Sequence, residues 1–311
     1  MQGLIIENIA NLYKVRVEEN EQINCLNNLN NSRIQNIIYD ATARGKLKKD
    51  EIIPVVGDFV KISIVDEKNK KAVIEEIQER KKYIKRPKMA NITQIIFVLS
   101  SKDPKPDLLM LDKQLAFAEF IGVKCLIILN KTDLDDEQEF KNIKKIYQKI
   151  GYCVIETQAK TKTGIKELKE KLKGNINAFS GNSGVGKSTL INAIFDRDMT
   201  LEGEISRKNK RGKNTTTTVK LYEIEKNTYI ADTPGFSTFD ISEIESKELA
   251  KYFKEFSKKI EDCEFIGCTH IKEEKCGIKK GIKNGEISKE RYERFCKIYQ
   301  ELKQKEEKKK W

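Results

Sequence analysis

The fold of this chain is decided by one stretch, Gly181-Asn182-Ser183-Gly184-Val185-Gly186-Lys187-Ser188. It follows a strand-like segment, residues 176–180, and opens a helical run, residues 189–195. A strand, a turn of the form Gly-x4-Gly-Lys-Ser and a helix together make a phosphate-binding loop. Its glycines let backbone N–H groups converge on phosphate oxygens, and the helix N-terminus adds partial positive charge. The stretch therefore predicts a nucleotide-binding α/β domain.

A second motif, Asn130-Lys131-Thr132-Asp133, lies upstream, directly after a very apolar strand-like segment. The Asp133 carboxylate can accept hydrogen bonds from guanine N1–H and the exocyclic amine, and adenine offers neither donor there. We expect Asn130 to contact guanine N7 and the Lys131 stem to lie along the purine ring. For the tetrapeptide alone, a turn with a helix-capping aspartate is an open alternative. Together, the two motifs predict a GTP site.

The order of the two motifs narrows the class of protein. The guanine-reading tetrapeptide normally lies downstream of the phosphate loop, and here it comes first. The reversed order predicts a circularly permuted GTPase. After the next strand, Thr157-Gln158-Ala159-Lys160 is expected to supply a backbone contact to guanine O6.

Two further segments downstream of the phosphate loop complete the expected GTPase set. Asp232-Thr233-Pro234-Gly235 ends a strand, so Asp232 can hold Mg²⁺ through water and the Gly235 N–H can sense the γ-phosphate. Residues 211–218 are basic, glycine-containing and threonine-rich, as expected of a switch loop. One of its threonines would complete the Mg²⁺ shell when GTP is bound; a solvated β-edge is the alternative.

We expect Lys187 to reach the β- and γ-phosphates and Ser188 to ligate Mg²⁺. The full set of expected nucleotide-binding residues is Asn130, Lys131, Thr132, Asp133, Gly181, Asn182, Ser183, Gly184, Val185, Gly186, Lys187, Ser188, Thr189 and Asp232. The expected catalytic residues are Lys187, Asn214, Thr217 and Gly235.

Patterning along the 311 residues predicts a multidomain protein. Residues 1–80 contain short alternating segments separated by polar turns, which fits a small OB-fold β-barrel. A basic connector follows, and residues 81–245 alternate strand-like and amphipathic helical segments, which predicts an α/β domain with a mostly parallel sheet. Residues 246–311 combine a cysteine cluster, a helix from about Ser288 and a lysine-rich tail.

The cysteine cluster contains Cys263, Cys268, His270 and Cys276, and His270 is the single histidine of the chain. Three thiolates and one imidazole form the closed tetrahedral shell of a structural Zn²⁺ ion, whereas a catalytic zinc keeps an open position. Three unligated thiols beside a surface histidine are the alternative. The spacing therefore predicts an α-helical zinc-binding domain at the C-terminus.

Charge and composition indicate the partners. Lysine and arginine number 60 against 48 acidic residues, and the resulting net charge of +12 favours a polyanion such as RNA. No apolar run approaches the roughly 20 residues that span a bilayer, and the N-terminus does not resemble a signal peptide. Seven cysteines, an odd number, suit a reducing compartment. We expect a cytoplasmic monomer without membrane association.

The chain closely resembles the RsgA family of circularly permuted GTPases over nearly its whole length. The resemblance rests on the motif order, on Ala43-Arg44-Gly45-Lys46, Pro54-Val55-Val56-Gly57-Asp58 and Arg86-Pro87, and on the cysteine cluster. It implies an OB-fold, a permuted GTPase domain and a zinc domain. It also implies binding to small-subunit rRNA and a role in late maturation of the small ribosomal subunit, with Mg²⁺, GTP and GDP as ligands.

One departure from the family concerns catalysis. The family usually has a histidine where this chain has Asn214, and Phe236 follows Gly235 where many GTPases carry a water-positioning glutamine. Asparagine can orient a water but cannot take its proton at neutral pH. We therefore expect slow intrinsic hydrolysis that the small subunit stimulates and that drives release of the protein. The alternatives are an RNA-binding assembly scaffold with a weakly active GTP site and, less favoured, a P-loop kinase or ATPase.

Overall fold

The computed structural model describes residues 1–21, 33–45, 47, 52–135, 139–196, 219–232 and 241–308, and the structural statements below concern those residues. The chain divides into two compact units. The first comprises Met1–Thr93, Gly174–Ala178 and Lys213–Gly235. The second comprises Gln94–Lys173, Phe179–Gly212 and Phe236–Trp311. The domain boundaries expected after residues 80 and 245 stay predictions.

A closed barrel begins the first unit. Its five strands are β1 (Gln2–Ile9), β2 (Leu12–Glu21), β3 (Arg33–Ala43), β4 (Phe59–Asp66) and β5 (Lys71–Ile77). β1 pairs antiparallel with both β2 and β4, β2 pairs antiparallel with β3, and β4 pairs antiparallel with β5. A parallel pairing of β3 with β5 closes the ring. The five-stranded barrel predicted from the alternating segments is confirmed.

Alternation of side chains explains how these strands enclose a core. In β4 the side chains of Val60 and Ile62 are buried, while those of Lys61 and Ser63 between and after them are exposed. Successive residues of a strand point to opposite faces, so the apolar set fills the barrel and the polar set meets water. The predicted alternation of apolar and polar residues therefore corresponds to the alternation of buried and exposed side chains in this strand.

A buried ion pair joins the basic connector to the barrel. The fully buried carboxylate of Asp58 accepts two hydrogen bonds from the Arg80 guanidinium, at 2.7 and 2.8 Å. It also accepts one from the Val55 backbone N–H at 2.8 Å. This bidentate geometry is the strong form of the arginine–carboxylate pair and fixes where the connector leaves the barrel.

The remaining strands of the first unit are β6 (Tyr83–Lys85), β7 (Lys88–Ala90), β12 (Lys220–Glu225), β13 (Thr228–Asp232) and the start of β11 (Ile176–Ser180). β6 and β7 form a hairpin. β13 lies parallel to β11 and antiparallel to β12. β12 pairs with β1 of the barrel through Glu7 and Lys220, so barrel strands and these strands continue one sheet.

The second unit contains a parallel sheet of β8 (Gln94–Ser100), β9 (Lys124–Asn130) and β10 (Cys153–Thr157). Its helices in this part of the chain are α1 (Leu108–Ile121), α2 (Glu139–Ile150), α3 (Ile165–Leu172) and α4 (Lys187–Phe195). Every residue of β8 is buried, which requires apolar partners on both faces of the strand. The predicted alternation of parallel strands and helices is confirmed.

The C-terminal part of the second unit is helical. It contains three 3₁₀ segments (Ile241–Glu243, Ser246–Tyr252 and Lys254–Phe256) and helices α5 (Ser257–Ile260), α6 (Gly277–Lys283) and α7 (Lys289–Lys308). Phe295 of α7 packs against Phe253 and Phe256 with ring centroids 5.2 and 5.0 Å apart. Among the described helices, none has both the length and the apolar character that a membrane span requires.

A buried charge cluster ties α7 to α1. Asp112 of α1 is fully buried and forms ion pairs with Arg291 and Arg294 of α7. The Tyr147 hydroxyl donates to the same carboxylate at 2.6 Å, and Arg291 also pairs with Glu255. Buried charges are retained at low cost only when they are paired and hydrogen-bonded, so these partners depend on one another.

Replacing Asp112 with alanine is expected to lower the free energy of unfolding by about 3–5 kcal/mol, because the buried Arg291 and the half-buried Arg294 lose their common carboxylate. Urea-induced unfolding of the full chain measures the change. The control is Glu76→Ala at an exposed position of β5, for which we expect a change within about 0.5 kcal/mol. Equal stability of the two variants would contradict the importance of the cluster.

Candidate nucleotide site and metal centre

The phosphate loop has the strand–loop–helix setting that its sequence predicts. β11 ends at Ser180, α4 begins at Lys187, and Gly181 and Gly186 have φ values of +146° and +97°. A Cβ on Gly181 would lie 2.4 Å from the Val98 carbonyl oxygen, and one on Gly186 would lie 2.3 Å from Nδ2 of Asn130. Both positions therefore require glycine for backbone conformation and for space.

Lys187 points into the loop. Its Nζ donates hydrogen bonds to the carbonyl oxygens of Gly181 at 2.7 Å and Asn182 at 2.8 Å. Burial lowers the pKa of the Lys187 ammonium from its ordinary value. A desolvated cation held by carbonyl dipoles gains from a nearby anion, so this position suits a phosphate group. The predicted phosphate-binding role of Lys187 agrees with this setting.

Asn130 connects the guanine-reading tetrapeptide to two other segments. Its side chain is 1% exposed, and its Nδ2 donates to the Val185 carbonyl oxygen of the phosphate loop at 3.0 Å. Its Oδ1 accepts from the Thr157 hydroxyl at 3.0 Å and from the Ala159 N–H at 3.3 Å. Both acceptor sites and one of two amide donors are thus used by the protein. The expected contact with guanine N7 stays a prediction, and the remaining N–H is the group that could make it.

The other residues of the tetrapeptide lie in the turn after β9. Lys131 has φ +61°, and Thr132–Leu134 forms a single 3₁₀ turn. Thr132 donates weakly to the Thr157 carbonyl oxygen at 3.5 Å, while the Asp133 side chain is exposed. Because the Asp133 carboxylate is exposed, a purine base could reach it. The structure therefore brings together Asn130–Asp133, Thr157–Ala159 and the phosphate loop within the second unit.

The other expected site residues are placed as follows. Ser188 and Thr189 lie exposed in the first turn of α4. Asp232 is the last residue of β13 in the first unit. The expected catalytic residues Asn214, Thr217 and Gly235, and also Phe236, lie outside the described residues. Their roles stay predictions.

Exchanging Asp133 for asparagine is expected to weaken GDP binding by at least about 100-fold, because guanine N1–H and the exocyclic amine lose their common acceptor. Binding of xanthosine diphosphate should strengthen, since an amide N–H can donate to the C2 carbonyl of xanthine. Titration calorimetry with both nucleotides measures the two affinities.

The matched control is Asp135→Asn. The Asp135 carboxylate accepts from the backbone N–H groups of Glu139 and Phe140 at the start of α2. This change should leave the preference for guanine over xanthine as it is. A similar change of base preference in both variants would count against the assignment of Asp133.

The cysteine cluster is brought together as its spacing predicts. One ligand atom from each of Cys263, Cys268, His270 and Cys276 lies within 4.8 Å of the others. Nδ1 of His270 is 3.5 Å from Sγ of Cys263 and 3.4 Å from Sγ of Cys276. Bond lengths of about 2.3 Å to sulfur and about 2.0 Å to nitrogen in a tetrahedron imply a separation of about 3.5 Å between such atoms. The cluster therefore fits a four-coordinate Zn²⁺ ion.

The electrostatics of the cluster point the same way. Burial raises the pKa of the Cys268 thiol to about 12 and also raises the pKa of Cys276. Burial lowers the pKa of the His270 imidazole. Thiolates at these positions therefore need a cation, which a bound metal ion supplies. A neutral imidazole is also the form that ligates zinc.

Glu273 supports the backbone around the cluster, and the ligand spacing did not predict it. Its carboxylate accepts hydrogen bonds from the N–H and hydroxyl of Thr269 and from the N–H groups of Ile271 and Lys272, at 2.9–3.1 Å. Burial alone would raise the pKa of this carboxyl, but these hydrogen bonds outweigh it and lower the pKa to about 2. The carboxylate thus shapes the backbone on both sides of His270. The available signal was the pair of acidic residues, Glu273 and Glu274, between the last two ligands.

Replacing Glu273 with alanine is expected to weaken zinc binding by about 10–100-fold, because the loop that orients His270 loses its acceptor. Competition with a chromophoric chelator measures the zinc affinity of the full chain. The control is Glu274→Ala at the exposed neighbouring position, which should retain the affinity of the unmodified protein. Identical zinc affinities for the two variants would contradict this role.

Known proteins are similar to this chain in both sequence and fold. The RsgA GTPase family model matches residues 77–242, and the RsgA N-terminal domain model matches residues 33–74. A small ribosomal subunit biogenesis GTPase RsgA from Alkaliphilus metalliredigens is 37% identical over 302 residues, which cover 97% of this chain and 98% of the relative. The protein of the same name from Clostridium novyi is 40% identical, with 97% of each chain covered.

Two solved structures have a similar fold over nearly the whole chain. The crystal structure of YjeQ from Thermotoga maritima is 35% identical with a TM-score of 0.77, covering 97% of this chain and 98% of that one. The structure of YloQ, described as a circularly permuted GTPase, is 26% identical with a TM-score of 0.76, covering 98% and 95%. The predicted resemblance and the reversed motif order are confirmed.

Proposed function

This chain belongs to the RsgA GTPase family, and on that premise we propose that it hydrolyses GTP to GDP and phosphate while assisting late maturation of the small ribosomal subunit. Relatives that match it over almost their full length carry the name small ribosomal subunit biogenesis GTPase. In this proposal the GTP-loaded protein binds the subunit, and hydrolysis drives its release.

The observation that carries the nucleotide part of the proposal is the hydrogen bond from Asn130 Nδ2 to the Val185 carbonyl oxygen. It holds the guanine-reading turn at a fixed distance from the phosphate-binding loop, so one ligand with a base at one end and phosphates at the other can contact both. Asp133 then selects guanine, and Lys187 with the loop N–H groups binds the phosphates.

Positioning and electrostatic stabilisation supply most of the catalysis in phosphoryl transfer. We assign Lys187 to the β- and γ-phosphates, and Ser188 and Asp232 to Mg²⁺, with one switch threonine, Thr217 in our proposal, completing that shell. When bound, Mg²⁺ neutralises charge that develops on the phosphate oxygens. Gly235 is assigned to the γ-phosphate and Asn214 to the attacking water. Cys263, Cys268, His270 and Cys276 would hold one structural Zn²⁺.

The polyanionic partner is proposed to be small-subunit rRNA. The net charge of +12 supports this, as does a five-stranded barrel of a kind that commonly binds oligonucleotides. Lysine and arginine also cluster in residues 80–88 and 279–283. We further propose three domains, residues 1–80, 81–245 and 246–311, in a monomer that acts in the cytoplasm.

Small ribosomal subunits are expected to raise the rate of GTP hydrolysis at least about tenfold, because neither Asn214 nor Phe236 can serve as a general base. Phosphate release from GTP and from ATP, measured with and without purified subunits, tests this. Lys187→Ala should abolish the stimulated rate, while ATP should not support it. Equal turnover of GTP with and without subunits would contradict the proposed stimulation.

A further inference from the structure

A short loop after β8, residues 101–104, exchanges two hydrogen bonds with Lys131 of the guanine-reading turn. The Ser101 side chain is 7% exposed, and its hydroxyl donates to the Lys131 carbonyl oxygen at 3.0 Å. In return, Nζ of Lys131 donates to the Asp103 carbonyl oxygen at 2.7 Å. The loop thereby fixes the main chain of Lys131 and the end of its side chain at the same time.

The same loop also borders the phosphate loop. A Cβ on Gly184 would lie 3.4 Å from Cδ of Pro104 and 3.8 Å from the Asp103 carbonyl oxygen. The loop is braced internally, since the fully buried Ser100 hydroxyl donates to the Lys102 carbonyl oxygen at 2.6 Å. Residues 101–104 therefore hydrogen-bond to Lys131 and lie beside the phosphate loop, held in place at the end of β8.

Fixing Nζ of Lys131 determines where its aliphatic stem lies. A lysine side chain has many rotamers in water, and confining them when a ligand arrives costs free energy. With the ammonium held by the Asp103 carbonyl, most of that cost is met before the purine binds. Preorganisation of this kind raises affinity without adding a direct contact to the ligand.

We propose that the Ser101–Pro104 loop is a positioning element for guanine nucleotides, which acts through Lys131. The proposal deepens the proposed function, on which it rests. Ser101 and Asp103 are positioning residues, because their hydrogen bonds go to Lys131.

The backbone of Asp103 supplies a sharp test. Its φ is +46°, in the left-handed region, which asparagine adopts readily and a β-branched residue does not. Asp103→Asn therefore keeps the carbonyl in place, whereas Asp103→Val should move it away from Lys131. Both substitutions remove the carboxylate. A difference in GDP affinity between them therefore reports the position of the backbone carbonyl.

The experiment measures GDP affinity of the full chain with Mg²⁺ by titration calorimetry. We expect Asp103→Asn to bind as the unmodified protein does and Asp103→Val to bind about tenfold more weakly, since a hydrogen bond from a charged donor is lost. In the Lys131→Ala background, Asp103→Val should cause no further loss beyond about twofold. If the loop had only a structural role, Asp103→Val would weaken GDP binding in the Lys131→Ala background as much as it does in the unmodified protein.

A second pair covers the case in which Asp103→Val does not fold. Ser101→Ala should weaken GDP binding about threefold to tenfold, and Ser101→Thr, which keeps the hydroxyl, should restore it. Full affinity of Asp103→Val or Ser101→Ala would overturn the proposal, as would losses that add to that of Lys131→Ala. If the variants overturn the proposal for the loop but the unmodified protein binds GDP, the proposed function stands. Absence of GDP binding by the unmodified protein would overturn both.

Discussion

The buried amide of Asn130 is the constraint on which the proposed nucleotide site depends, because it joins its own strand to two other segments. It joins the end of β9 to the phosphate loop through Val185, and to the end of β10 through Thr157 and Ala159. An amide that is 1% exposed must have its hydrogen bonds satisfied, so displacement of any of these segments leaves a polar group unpaired. The turn expected to bind the base and the loop expected to bind the phosphates therefore share one hydrogen-bonded frame.

The reversed order of the motifs is compatible with this frame because hydrogen bonding depends on position in space. β8, β9 and β10 lie side by side and parallel, so Ser100, Asn130 and Thr157 all lie at the carboxyl edge of one sheet. Ligands of open α/β sheets bind at that edge whatever the order in which loops join the strands. The order of the motifs decides which segments are covalently continuous, while the ends of these three strands share one edge of the sheet.

The metal centre and the C-terminal helix rely on a different kind of constraint. The cysteine cluster is organised locally, by ligands within fourteen residues and by Glu273 among them. Helix α7 is instead held to α1 through Asp112, Arg291 and Arg294, which are distant in sequence. The Tyr292 hydroxyl donates to the His270 carbonyl oxygen at 2.7 Å, so the two constraints meet on α7. Helix α7 thus connects the cysteine cluster to the α/β part of the second unit.

The sequence by itself determined those features that depend on residues close together along the chain. Contiguous motifs predicted the phosphate loop and the turn at Asn130–Asp133, ligand spacing predicted the cysteine–histidine cluster, and alternation predicted the barrel strands. Tertiary structure decided the contacts between distant residues: Asn130 with Val185, Ser101 and Asp103 with Lys131, and Asp112 with Arg291. Local spacing fixes chemistry that one turn or one helix can hold, whereas pairing across the fold depends on which strands and helices pack together, and no spacing along the chain encodes that.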